Sequence, residues 1–263
     1  MLCLQRRSID VQLSEYLQSK LHLSKKKSQE VAEAVKEYRQ KYRRSGKERK
    51  KLNIKVPQYS LGEELFNSIS HGLAAAFAIV ALVLMTVKAR GALAETCVSL
   101  FGATMIILYV MSCIYHALSS RLEGKKVLRV LDHCNVYLLV FGTYIPVSLL
   151  GVGGWLGWLL FGIVAVVTVV GIVLTSVRID KFTILEVVCH LLNGWSIVVG
   201  VPALLQMAGV AGVLWLLVGG IMYSLGSILY GVGSRKKYIH CVFHVFCILG
   251  TICHFVMIYG FLL

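Results

Sequence analysis

The sequence predicts an all-α integral membrane protein, a bundle of seven transmembrane helices behind a basic cytoplasmic tail. Three observations carry that prediction. Hydrophobic residues make up 57% of the 263 and charged residues only 15%, with a mean hydropathy of +0.74. A soluble domain carries about 45–50% apolar and about 25% charged residues. The net charge is nonetheless +14, and it is unevenly spread: residues 1–55 hold 16 of the 27 Lys and Arg but 6 of the 13 Asp and Glu. The rest of the chain is built of apolar runs near the ~20 residues needed to cross a bilayer core of about 30 Å at 1.5 Å per residue. A soluble enzyme and an ordinary secreted protein are thereby excluded.

Residues 1–55 read as a partly helical tail. Leu13, Tyr16, Leu17 and Leu21 share one helical face and Val31, Val35, Tyr38 and Tyr42 another. Lys25–Lys27 lies between them, so a short helical hairpin is expected. Residues 41–51 add seven cations just before the first span, which suits anionic lipid headgroups at about 1 kcal/mol per charge near the surface. Nothing beyond charge supports a nucleic-acid partner. Within the body, 56–263, the expected spans are 66–87, 95–118, 130–150, 154–176, 184–206, 210–231 and 239–262.

Their connections alternate in charge. The 119–129 loop holds Arg121, Lys125, Lys126 and Arg129, the 177–183 loop Arg178 and Lys181, and the 232–238 loop Arg235, Lys236 and Lys237. The 151–153 and 207–209 loops and the C-terminal end hold no Lys or Arg; only Lys88 and Arg90 dissent. The positive-inside bias then puts the N-terminus in the cytoplasm and the C-terminus outside. No cleavable signal peptide is visible, so the first span is expected to direct insertion into the cell membrane. Eight cysteines without a CxxC pair suit small buried apolar side chains better than a disulfide framework. Gly162, Gly171, Gly219 and Gly226 are expected to permit close helix packing.

Ionisable groups inside a bilayer are costly and therefore informative. On this topology Glu64, Asn67 and His71 open the first span, and Ser112 and His116 close the second. Asp132 and His133 begin the third, Glu186 and His190 the fifth, and His240 and His244 the seventh. All fall toward the cytoplasmic leaflet; only His254 runs deeper. His240 and His244, at i and i+4, project from one helix face, a spacing by which one helix supplies two nitrogens to zinc. His116 offers a third imidazole. Spacing alone leaves two readings open: metal binding, or interhelical hydrogen bonds and a proton path. For the first, Asp132 could take a proton from a zinc-activated water and Ser112 could hydrogen-bond it or the substrate. Glu64, Asn67 and His71 share one stripe and read as a supporting polar network. His133 lies about 100° around the helix from Asp132 and faces elsewhere. Glu186 and His190 read as a local i, i+4 pair, and His254 as a satisfied bundle histidine.

These residues resemble the haemolysin III proteins of bacteria, which belong with the progestin and adipoQ receptors. Glu64-x2-Asn67-x3-His71, Ser112-x3-His116, Leu131-Asp132-His133, Gly142-Thr143-Tyr144-Ile145-Pro146, and His240-x3-His244 followed by His254 stand in that family's order over about residues 60–262. The resemblance implies a seven-helix bundle with zinc on His116, His240 and His244, and with Asp132 and Ser112 beside it. Through the adiponectin receptors and alkaline ceramidases it implies hydrolysis of a lipid amide or ester, with a membrane lipid or fatty-acyl substrate. The alternatives are a pore-forming cytolysin and a non-enzymatic sensor of membrane state with structural zinc. The tail lies outside the resemblance.

Overall fold

The computed structural model describes residues 24–48, 54–179, 183–233 and 236–263. It divides into two compact units, Met1–Asn53 and Ile54–Leu263. In the first, α1 (Lys25–Glu48) starts with Ser24 accepting from the Lys27 amide. Lys25–Lys27 forms its first turn, where the turn of a hairpin is expected from the sequence. The other arm of that hairpin, around Leu13–Leu21, lies outside the described residues.

The described elements of the second unit are all helices, joined by short turns and preceded by an extended strap over residues 54–60. α2 (Leu61–Lys88) opens on a capping box in which Ser60 and Glu63 satisfy each other's backbone N–H. Small residues Ala74, Ala78 and Ala81 line its buried face, while Leu73 (69% exposed), Val80 and Val87 face outward. Gly91, at φ 87°, turns the chain into α3 (Ala92–Ala117). α4 (Gly124–Pro146) ends at a proline, which cannot donate to the helix ladder, and the chain widens into a π turn over Val147–Val152. α5 (Gly154–Arg178) follows. α6 (Thr183–Trp195) tightens into a 3-10 turn, Ser196–Gly200, and continues as α7 (Val201–Gly233). Gly209, at φ 65° and ψ −178°, breaks α7 into two helices. α8 (Ile239–Met257) closes the chain with a π turn over Ile258–Leu262.

Among the described residues, six stretches are long and apolar enough to cross a membrane. One of them, Leu185–Gly231, runs for 47 residues. At 1.5 Å per residue that is about 70 Å, more than twice the hydrocarbon thickness, and the Gly209 break divides it. α2 packs along α3, α3 along α4, α4 on α5 and α7 along α8, and α8 returns against α2. Phe101, Met105, Tyr109, Leu204 and Met257 fill the interior.

The exterior of the second unit is as apolar as its core. On α5, Val166, Val169, Val173 and Val177 face outward, whereas Thr168 and Thr175 are buried. An apolar exterior of this kind is stable only against lipid. Among the glycines expected at close contacts, Gly171 lies against the Tyr137 ring, Gly219 against His254 and Gly226 against Phe246. Gly162 instead faces open space, so its small size serves no helix contact. Lys88, a dissenter from the charge bias, donates to the Tyr259 carbonyl at 2.6 Å and sits 4.4 Å from the centre of that tyrosine's ring. It caps the last turn of the chain, which gives the exception a structural cause.

Candidate metal centre

Three helices bring their ends together where α2 and α8 begin and α3 finishes. His116 comes from the last turn of α3, and His240 and His244 come from the first two turns of α8. All three are buried, and each offers a ring nitrogen within 4.8 Å of the others. The cluster could hold a metal ion. His240 Nε2 and His244 Nε2 are 3.1 Å apart. Two nitrogens bound at about 2.0–2.1 Å to one tetrahedral ion stand about 3.4 Å apart, so the His240–His244 pair is spaced as two ligands of one metal ion would be.

The supports for these rings come from α2 and the strap before it. Glu64 Oε2 accepts from His116 Nδ1 at 2.7 Å, and Glu64 Oε1 accepts from Lys125 Nζ at 2.5 Å. His71 stacks on His244, with ring centres 3.8 Å apart and planes at 20°. Asn67, between them on the stripe, is fully buried and has no side-chain partner among the described residues. Arg129 of α4 donates to the Lys55 carbonyl in the strap at 2.6 Å. Tyr59 stacks on His240 at 4.9 Å and 17°. Burial raises the Tyr59 phenol above its ordinary value, so the ring stacks as a neutral group. Glu63 accepts from the Tyr238 amide at 2.7 Å, which ties the start of α8 to the start of α2.

Ser112, buried one turn before His116, lies beside Asp132 of α4, and Asp132 in turn lies close to His116. His71, Ser112, Asp132 and His244 all line a largely apolar cavity of about 120 Å³. It extends past Val136, Leu139 and Val140 to Leu216 and His254. His254 meets the Leu216 carbonyl through Nε2 at 3.2 Å. His133 turns away from the cluster: its Nδ1 is 3.1 Å from Glu186 Oε1 and 3.5 Å from the Tyr230 hydroxyl. Glu186 is therefore closer to His133 across helices than to His190 on its own, which is 4.0 Å away. The local pair expected from the i, i+4 spacing is the weaker of its two contacts.

Sequence reasoning passed over Tyr59, Glu63 and Lys125. Glu63 was legible as the fourth residue of Ser60-x2-Glu63, a capping box. Lys125 counted only as a loop charge, although it is fully buried. Nothing local marks Tyr59.

Relatives carry the same body. The profile of the family described as "Haemolysin-III related" matches residues 59–255, beginning at the strap tyrosine. Hemolysin-3 of Bacillus cereus is 31% identical over 192 residues, covering 72% of this chain and 87% of that protein. The Hemolysin-3 homolog of Bacillus subtilis (strain 168) is 31% identical over 196 residues, covering 73% and 91%. On this match, with its apolar spans, the chain is a multi-pass integral membrane protein and belongs to the haemolysin-III related family.

Proposed function

We propose that this protein is a zinc-dependent membrane hydrolase acting on a lipid amide or ester. One observation carries the reading: three buried imidazoles converge beside a carboxylate and a hydroxyl, at one end of an apolar cavity. His116, His240 and His244 would hold the zinc. Bound zinc supplies Lewis-acid activation of water near neutral pH. With the metal bound, the Asp132 carboxylate would accept a proton from the attacking water and deliver it to the leaving group. Ser112 donates a hydrogen bond to the carbonyl oxygen of the substrate. The acyl chain lies along Val136, Leu139 and Val140, which exclude water from the reacting end.

The membrane arrangement proposed with it has seven crossings, an internal N-terminus and an external C-terminus. The Gly209 break supports the count, since it divides a stretch too long for one crossing. The cationic loops and tail support the orientation, and the metal cluster then sits near the cytoplasmic leaflet. Anionic lipid headgroups are the proposed partners of the basic tail.

Purified protein should contain about one zinc per chain, lose it in His116→Ala, His240→Ala and His244→Ala, and release fatty acid from a panel of lipid amides and esters. Stoichiometric zinc without turnover on any member of the panel would sink the hydrolase reading. The name Hemolysin-3 borne by the B. cereus relative raises a cytolytic reading as well. Liposome leakage that persists in all three histidine variants would favour it.

A further inference from the structure

Each imidazole of the cluster has two ring nitrogens, and only one can face a metal. On His240 and His244 the facing atoms are the two Nε2, 3.1 Å apart. On His116 the choice depends on a partner. Its Nδ1 lies 2.7 Å from Glu64 Oε2, while its Nε2 is buried without a partner among the described residues. A carboxylate only accepts, so the ring proton belongs on Nδ1 and the lone pair on Nε2, the form that binds metal.

Glu64 is held in turn. Lys125, with no exposed surface, donates to Glu64 Oε1 at 2.5 Å and to the Leu118 carbonyl at 2.8 Å. Leu118 caps the helix that ends with His116 and Ala117. The chain Lys125–Glu64–His116 thus joins the start of α4, the first turn of α2 and the end of α3. Lysine is donor-only, so it fixes the acceptor character of whatever stands at position 64. We infer that Glu64 is a positioning residue: oriented by Lys125, it fixes the tautomer of His116 and through it the metal affinity of the cluster. This rests on the metal reading proposed above.

The lysine makes the inference testable by a substitution that preserves shape. In Glu64→Gln the amide has one accepting end, and Lys125 claims it. The amide NH2 then faces His116 Nδ1, which must accept, and the proton moves to Nε2, where it blocks coordination. In Glu64→Gln with Lys125→Met the amide is free to turn. Its oxygen accepts from Nδ1–H, and its NH2 turns to the side that Lys125 vacates. The full chain is purified in detergent, stripped and titrated with zinc against a chelator, with circular dichroism as the check on helical content.

Glu64→Gln should bind zinc about 10–100-fold more weakly, the usual cost of losing a ligand's orienting partner. The double variant should return to within about threefold of the wild type, and Lys125→Met alone should stay there too. Cobalt substitution gives a second readout, since the visible band of the tetrahedral ion should fade in Glu64→Gln and return in the double variant. A merely structural role predicts the opposite order, because the double variant loses two buried partners. Unchanged zinc affinity in Glu64→Gln overturns the inference, as does a fully helical double variant without recovery. A wild-type protein that binds no zinc overturns the metal reading itself, a result separable from either.

Discussion

Glu63 offers the sharpest test of how the site is held, because each of its partners is a donor. Its Oε2 accepts from the Ser60 amide and hydroxyl, both at 2.8 Å, and its Oε1 accepts from the Tyr238 amide at 2.7 Å. The residue is 4% exposed, so these bonds are poorly replaced by water. In Glu63→Gln one amide end must confront a backbone N–H. A charge-assisted hydrogen bond is lost, at about 1.5–3 kcal/mol, and a buried donor is left unsatisfied. The expected destabilisation is about 2 kcal/mol, the two effects describing largely the same loss. Ser60→Ala removes the cap oxygen but keeps the Tyr238 tie, and should cost about 1 kcal/mol. Because Tyr238 precedes His240 by two residues, Glu63→Gln should also weaken zinc binding, whereas Ser60→Ala should not. Reversible unfolding in mixed detergent gives the stabilities and chelator competition gives the affinities. A Gln variant within about 0.5 kcal/mol of wild type would show that the α2–α8 tie contributes little and refute the reasoning.

Tyr59→Ala removes a ring stacked on His240, worth about 0.5–1.5 kcal/mol, so zinc affinity should fall about two- to tenfold. Tyr59→Phe should bind normally, since the stack uses the ring face; an equal loss in Phe would assign the effect to the hydroxyl. Lys88→Met should destabilise the fold by about 1 kcal/mol through the lost Tyr259 contacts and leave zinc affinity unchanged. Any shift in zinc binding there would mean that the two ends of the bundle are coupled. Gly171→Ala should cost about 1–3 kcal/mol, because the new methyl meets the buried Tyr137 ring. Gly162→Ala faces open space and should be neutral or stabilising by up to about 1 kcal/mol. Equal effects at the two positions, read from unfolding midpoints, would discredit the assigned contact.

What the sequence made legible follows from periodicity. Helical repeat and apolar run length are local properties, so the membrane class and most helix positions could be read directly. The i, i+4 spacing of His240 and His244 is equally local, and it set two rings on one face before any fold was known. The supports of those rings are another matter. Glu64 lies 52 residues from His116, Lys125 lies 61 from Glu64, and Glu63 lies 175 from Tyr238. Which of the charged residues near a helix end would turn inward depends on how α2, α3, α4 and α8 meet. For the same reason Glu186 read as the partner of His190, one turn away, when the nearer imidazole belongs to another helix. Gly162 failed as a packing glycine because composition cannot say which side of α5 faces lipid.

The fate of individual cations separates two uses of positive charge in this chain. Orientation needs charge that stays at the membrane surface, and its number matters more than its position. Lys125 and Lys88 both leave that pool, one at each end of the bundle. Lys125 is withdrawn into the interior, where a charge is tolerable only because Glu64 and the Leu118 carbonyl receive it. Lys88 is withdrawn onto the π turn that follows α8, where it donates to the Tyr259 carbonyl and lies over that tyrosine's ring. A loop lysine thus has two possible destinations, and counting charges cannot distinguish them. The distinction comes from what faces the ammonium: a carboxylate that also holds a metal-site histidine in one case, and the closing turn of α8 in the other. Removing the first leaves Glu64 to His116 alone and should matter to the metal cluster only when position 64 is an amide, while removing the second should loosen only the far end of the bundle.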